Sequence, residues 1–326
     1  MKALIYEGPE TLVLREVPDP QPEPGEELIR VSAVGICGSD MHAWLGHDAR
    51  RPAPLILGHE AAGVIVGGAR AGERVTINPL VACGTCAACQ AGRENLCPER
   101  EIISMPPREG AFAEYIAMPA RNLVDVPPDV SLAKAALAEP LAVSWHAVRL
   151  ALEARKPGVP EGVLVIGGGA IGLAAALALA AQGVADVTLT EPNPARRAYL
   201  AGRCDFRVLP EADGQFGLVI DAVGLATTRA MASACAAPGG VIAHIGLGED
   251  AGGLDMRRMT LQEITFIGSY TYTARDFRDT ARAIFDRRLG SLDWTEMRGL
   301  GDGAAAFADL RAGRVPPPKI ILQPWA

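Results

Sequence analysis

Short apolar runs of strand length, cut apart by proline and glycine, fill the chain to about residue 150. Leu28-Ile29-Arg30-Val31, residues 61–66 and Arg74-Val75-Thr76-Ile77 are three of them, and turn signals such as Pro22-Glu23-Pro24-Gly25 lie between. This pattern predicts a compact, mostly β domain. It changes near Lys156-Pro157-Gly158. Val163-Leu164-Val165-Ile166 is apolar throughout, as suits a strand buried on both faces. A glycine-rich turn follows, then an Ala/Leu helix to about Gln182. Val187-Thr188-Leu189-Thr190, Leu218-Val219-Ile220 and Val241-Ile242-Ala243-His244-Ile245 are further strands, with a helix over 226–237. Ile264-Thr265-Phe266-Ile267 is the last of that series. Strands alternating with helices imply a parallel α/β sheet. A helix over 274–288 and a strand over 319–322 complete the tail.

Composition narrows the function. The 326 residues suit two domains, and 49% apolar content gives each a core. A formal charge of −7 without any basic run argues against a nucleic-acid partner. The N-terminus runs straight into a strand pattern, with no signal-peptide h-region. The longest apolar stretch, residues 170–181, is too short to span a membrane. A cytoplasmic protein is expected. In a reducing compartment, crowding four of the seven cysteines into residues 83–97 points to metal rather than disulfides.

Gly167-Gly168-Gly169-Ala170-Ile171-Gly172 matches G-x-G-x-x-G between a buried strand and a helix. That context makes the string informative. Gly167 permits the tight turn, Gly169 lets a pyrophosphate approach, and Gly172 lets helix and strand pack closely. Ala170 and Ile171 open the helix, whose N-terminal N–H groups face the phosphates. Glu191, about twenty residues on, can accept the ribose hydroxyls of NAD and repel a 2′-phosphate. NAD is therefore favoured over NADP. Arg196 and Arg197 lie close by and could meet a phosphate.

Cys83, Cys86, Cys89 and Cys97 form C-x2-C-x2-C-x7-C. Four thiolates so spaced can close a tetrahedron around zinc, which makes a structural site. An iron–sulfur cluster is the chemical rival. Zinc is favoured because the rest of the chain looks like a hydride-transfer enzyme. Cys37 and His59 are also good zinc ligands, and Glu60 or Glu139 can supply an oxygen. Such a site with an open position can polarise an alcohol oxygen. Taken singly, each has a plainer reading. Cys37 could be a small buried hydrophobe, His59 a satisfied turn histidine, and Glu139 a helix cap.

Together the strings Gly35-Ile36-Cys37-Gly38-Ser39-Asp40, Gly58-His59-Glu60-Ala61-Ala62-Gly63 and Gly72-Glu73-Arg74-Val75 resemble the zinc-containing medium-chain dehydrogenase/reductases. The cysteine lobe, Glu139-Pro140-Leu141-Ala142-Val143 and the glycine-rich turn follow in the same order. The Glu-Pro-Leu string is most similar to the sorbitol and threonine dehydrogenase branch. The resemblance implies a GroES-like, mostly β catalytic domain from residues 1–150 and 271–326. A Rossmann NAD-binding domain, a doubly wound parallel sheet, would occupy 151–270, with the active site in the cleft. It further implies two zincs per chain. Cys37, His59 and Glu60 would bind the catalytic one, with Glu60 a ligand or near-ligand. Glu139 would be a direct ligand or hold the zinc's water. Asp40 would orient His59. Ser39, the nicotinamide ribose and His42 would relay a proton to solvent.

By family position Trp44 and Phe112 line the substrate pocket, although plain core packing also suits them. Sorbitol dehydrogenases of this family typically carry an arginine after the last sheet strand, and Thr271 stands there instead, which puts sorbitol in doubt. The expected activity is NAD-linked oxidation of an alcohol or polyol by a homodimer or homotetramer. Carbonyl reduction and threonine-type amino-alcohol oxidation are alternatives. A non-enzymatic relic on the same fold would be expected to have lost the ligand set, and this chain retains it.

Overall fold

A computed structural model describes all 326 residues. The chain divides into two units. One comprises Met1–Glu139, Thr273–Arg287 and Trp294–Ala326, and the other Pro140–Tyr272 and Arg288–Asp293. No helix is long and apolar enough to cross a membrane.

The first unit is built on a seven-stranded sheet. Glu26–Gly35 lies at its centre, between Glu60–Val66 and Lys319–Gln323, with Tyr115–Pro119 also pairing to it. The register matters for chemistry. Gly35 faces Glu60 on one side and Ile321 on the other. The strand ends therefore bring Cys37, Glu60 and Lys319 to one edge of the sheet. Beneath lies a core that includes Leu4, Ile29, Val31 and Phe307.

The second unit holds six strands, all parallel. Their order is Arg207–Leu209, Val187–Thr190, Val163–Ile166, Phe216–Asp221, Ala236–His244, Thr265–Gly268. By position in the chain this is third, second, first, fourth, fifth, sixth, the doubly wound arrangement of dinucleotide-binding folds. Val163–Ile166 is buried along its whole length, because helices cover both faces of such a sheet.

Element ends depart from the sequence pattern for local reasons. The helix expected over 226–237 stops at Cys235. Pro238 pushes Ala237 into an extended conformation, and the strand Ala236–His244 begins there. The helix expected over 274–288 ends at Phe285, because Arg287 adopts φ +58°. The last strand of the parallel sheet is displaced by one residue, to Thr265–Gly268. A helix over Ala138–Ala154 carries the Glu-Pro-Leu string. Pro140 sits in its first turn, where a missing N–H is tolerated.

Candidate metal and cofactor sites

Cys37, His59 and Glu60 each bring one donor atom within 4.8 Å of the other two. Cys37 caps the short helix Gly38–Trp44. Asp40, fully buried in that helix, organises the group. Its Oδ2 accepts the Cys37 N–H at 2.9 Å, and its Oδ1 accepts the Gly58 N–H at 3.2 Å. The same Oδ1 lies 3.3 Å from His59 Nδ1. This contact favours a proton on Nδ1, so Nε2 is the nitrogen that would face a metal. Burial works against the charged form of Asp40, but His59, Arg51 and the Cys37 N–H outweigh it and hold its pKa down. Burial likewise disfavours the imidazolium of His59, yet Asp40 and Cys37 lift its pKa well above the usual value. Gly58 adopts φ +90°, and a Cβ there would come within 2.5 Å of the Phe112 ring. The turn that presents His59 thus requires glycine.

Glu60 is fully buried. Its Oε1 accepts from Lys319 Nζ at 2.6 Å, and Lys319 also donates to the Ile36 carbonyl at 3.0 Å. Burial would lower the Lys319 pKa, but Glu60, Cys37 and Glu139 together raise it. Glu60 Oε2 is buried without a hydrogen-bond partner. An orphaned carboxylate oxygen beside a thiol and an imidazole is the feature a metal ion would resolve, so the donor set fits zinc. Glu139 is buried in the first turn of its helix, outside this converging trio, although its charge acts on Lys319. Ser39 Oγ lies 3.5 Å from His59 Nε2. His42 stands exposed three residues further along the same helix.

Trp44 and Phe112 are not brought to an open wall. Both are buried in the core, edge-on to Phe307 at 5.7 and 5.9 Å. Their plainer reading as core residues therefore describes their placement. Lys319 was not among the expected site residues, although a lysine heading the run Ile320-Ile321-Leu322 is a signal of a paired buried cation. Ser104, which also borders His59, and Arg51, which donates to the Ser104 and Ser39 carbonyls, carry no comparable signal.

The four cysteine sulfurs of the lobe also lie within 4.8 Å of one another. Cys83 is 3.9 Å from Cys89 and 3.5 Å from Cys97, and Cys86 is 3.5 Å from Cys89. Sulfurs about 2.3 Å from a tetrahedral zinc would be about 3.8 Å apart, so the cluster fits that ion. The N–H groups of Thr85 and Cys86 donate to Cys83 Sγ and bring its pKa down to about 6, whereas burial pushes the Cys89 thiol up to about 12, so the thiols of the lobe do not titrate alike.

In the second unit, Gly167 adopts φ +99°, and a Cβ on Gly172 would stand 1.7 Å from the Gly167 carbonyl oxygen. Only glycine permits that turn and that close packing. A Cβ on Gly169 would meet nothing within 4 Å, so space lies open at the N-terminus of the helix Ala170–Ala181. A pyrophosphate fits such a cradle. Glu191 stands just beyond the neighbouring strand. Its carboxylate accepts the N–H groups of Gly168 at 3.0 Å and Asn193 at 2.8 Å. Arg196 lies on the following helix, Pro194–Ala201, half-buried.

Residues 23–128 match the alcohol dehydrogenase GroES-like domain, and residues 206–286 the zinc-binding dehydrogenase domain. The chain is 36% identical to an L-galactonate-5-dehydrogenase of Escherichia coli, over 89% of this chain and 88% of that one. It is 35% identical to an L-threonine 3-dehydrogenase of Streptomyces avermitilis, over 96% and 97%. A solved short chain alcohol dehydrogenase from E. coli, complexed with the cofactor NADH, superposes with a TM-score of 0.87 at 26% identity, over 99% of both chains. With two zinc-fitting donor clusters and a doubly wound cofactor fold on the same chain, these matches make it a member of the zinc-type alcohol dehydrogenase family of medium-chain dehydrogenase/reductases.

Proposed function

We propose that Cys37, His59 and Glu60 hold a catalytic zinc at which the chain oxidises a secondary hydroxyl of a polyol-like substrate with NAD. The observation that carries this reading is the buried, unpartnered Glu60 Oε2 beside Cys37 and His59. Zinc bound there supplies Lewis acidity that makes an alcohol proton easier to remove. NAD bound at Gly167, Gly169, Ala170, Ile171 and Gly172 supplies the hydride acceptor. The chain's own residues do the rest. Asp40 keeps His59 in the ligating tautomer. Lys319 neutralises one oxygen of Glu60 and leaves the other for the metal. Glu139 supports the site as a buried charge close by. Ser39 accepts the substrate proton while giving up its own hydroxyl proton, and His42, exposed on the same helix face, would pass the released proton to solvent. Glu191 favours NAD because its fixed carboxylate would repel a 2′-phosphate, and Arg196 is the nearest candidate to meet one. Cys83, Cys86, Cys89 and Cys97 hold the structural zinc.

The relatives named for a sugar-acid dehydrogenase and a threonine dehydrogenase support a polyhydroxylated or amino-alcohol substrate. A reducing, cytoplasmic setting suits the seven unpaired cysteines. The edge strand Thr265–Gly268 supports assembly into a homodimer or homotetramer.

The test is NADH formation by the zinc-loaded protein against polyols, sugar acids, simple alcohols and amino alcohols, with NADP in parallel and zinc content measured. Two zincs per chain and turnover of one class with NAD are expected. Preference for NADP would overturn the role of Glu191. A single zinc with no turnover would overturn the catalytic site.

A further inference from the structure

Arg51 lies in the loop between the helix Gly38–Trp44 and the strand Leu55–Ile56, yet it is only 3% exposed. Arginine is rarely buried unless its donors are used. Here Nε donates to the Ser104 carbonyl at 3.0 Å and Nη1 to the Ser39 carbonyl at 2.8 Å. Asp48 Oδ2, 3.5 Å from Nη1, balances the charge. The two serines so gripped bracket one imidazole. Ser39 Oγ is 3.5 Å from His59 Nε2, and Ser104 Oγ is 3.5 Å from His59 Nδ1. Ser104 is fully buried and holds φ +66°, a conformation that a residue with a Cβ keeps only when its surroundings enforce it.

We propose that Arg51 is a positioning residue for His59 and Ser39. This rests on the reading of Cys37, His59 and Glu60 as a zinc site. The planar guanidinium spans two carbonyls in fixed geometry, and a lysine ammonium, a compact point charge, does not reproduce that fork. Through the Ser104 backbone, Arg51 sets one neighbour of Nδ1. Through the Ser39 backbone, it sets the hydroxyl beside Nε2. Asp40 decides which nitrogen carries the proton, and Arg51 decides where the ring and the relay hydroxyl sit. Without it, the buried Ser104 carbonyl and the part-buried Ser39 carbonyl lose this donor and both serine segments are freed.

The full-length, zinc-loaded wild type is compared with Arg51→Gln, Arg51→Lys and Ser104→Ala. Zinc release to a chelator is followed for each of the two ions, and kcat and KM for NAD are measured. In Arg51→Gln the catalytic zinc should leave about 10–100-fold faster and kcat should fall, with lobe zinc release and KM for NAD unchanged. Arg51→Lys should restore only part of the loss. Ser104→Ala should move zinc release in the same direction by less. Wild-type release and kcat in Arg51→Gln would overturn the proposal. If Arg51→Gln fails to fold or loses both zincs together, Ser104→Ala decides, and an unchanged release rate there overturns it. A wild type that holds only the lobe zinc would overturn the underlying site reading, and this inference with it.

Discussion

Burying an ammonium costs several kcal/mol unless a partner repays it. Lys319 has two partners, Glu60 Oε1 and the Ile36 carbonyl. Replacing it with methionine keeps the apolar stem and leaves Glu60 as an uncompensated buried carboxylate. Lys319→Met should therefore lose about 3–5 kcal/mol of stability, measured by urea unfolding of the zinc-loaded protein. A loss below about 1 kcal/mol would mean that the metal or water already compensates Glu60. His244 offers a test by pH. It closes the strand Ala236–His244, with Nε2 3.7 Å from Asp221 Oδ2 and its ring against Phe266. Burial lowers its pKa, and the pull of Asp221 recovers only part. Protonation is then easier in the unfolded chain. The stability that neutral His244 contributes is complete above its unfolded pKa of about 6.5 and is lost as pH falls towards the folded value. The melting temperature of the wild type should drop more steeply between about pH 7 and about pH 5 than that of His244→Asn. Equal slopes would assign the decline to other groups.

At the scale of elements, the close approach of helix Ala170–Ala181 to its strand rests on one missing Cβ. In Gly172→Ala the methyl would stand 1.7 Å from the Gly167 carbonyl oxygen, so the helix must move away from the turn. NAD affinity should fall about tenfold or more by calorimetry, while both zincs stay bound. Affinity equal to wild type would show that the phosphates are held elsewhere. This element was legible beforehand because buried strand, glycine turn and helix are contiguous in the chain. Cys37, His59 and the four-cysteine lobe were legible for a related reason, since each string is short and chemically loaded. What escaped depends on distance along the chain. Lys319 meets Glu60 across 259 residues, and Arg51 meets Ser104 across 53. The apolar run after Lys319 signals that the lysine is buried, but no local pattern names the distant partner. Helix ends divide the same way. Pro238 announces the stop at Cys235, whereas the left-handed backbone falls on Arg287, an exposed residue whose type gives no sign of it.

The whole molecule must also manage the edge of its parallel sheet. Thr265–Gly268 pairs with Ala236–His244 on one side only, so its other row of N–H and C=O groups lacks a strand partner. Phe266 on this strand is exposed, as are Met256 and Leu261 on the helix before it. Proteins that leave an edge open usually blunt it with charge, a bulge or proline. This strand has none of the three, since its residues are Thr265, Phe266, Ile267 and Gly268. An unpaired apolar edge of this kind is best satisfied by the same edge of a second copy, because a two-fold axis pairs like with like and closes the assembly. Phe266→Glu would place like charges near that axis in a pairing of otherwise neutral side chains. The wild type should sediment as a dimer or larger closed oligomer, and Phe266→Glu should shift it towards monomer while zinc content and NAD binding persist. A wild-type mass equal to one chain, or an assembly indifferent to Phe266→Glu, would mean that this edge is not the interface, and the exposed apolar side chains around it would then require another partner.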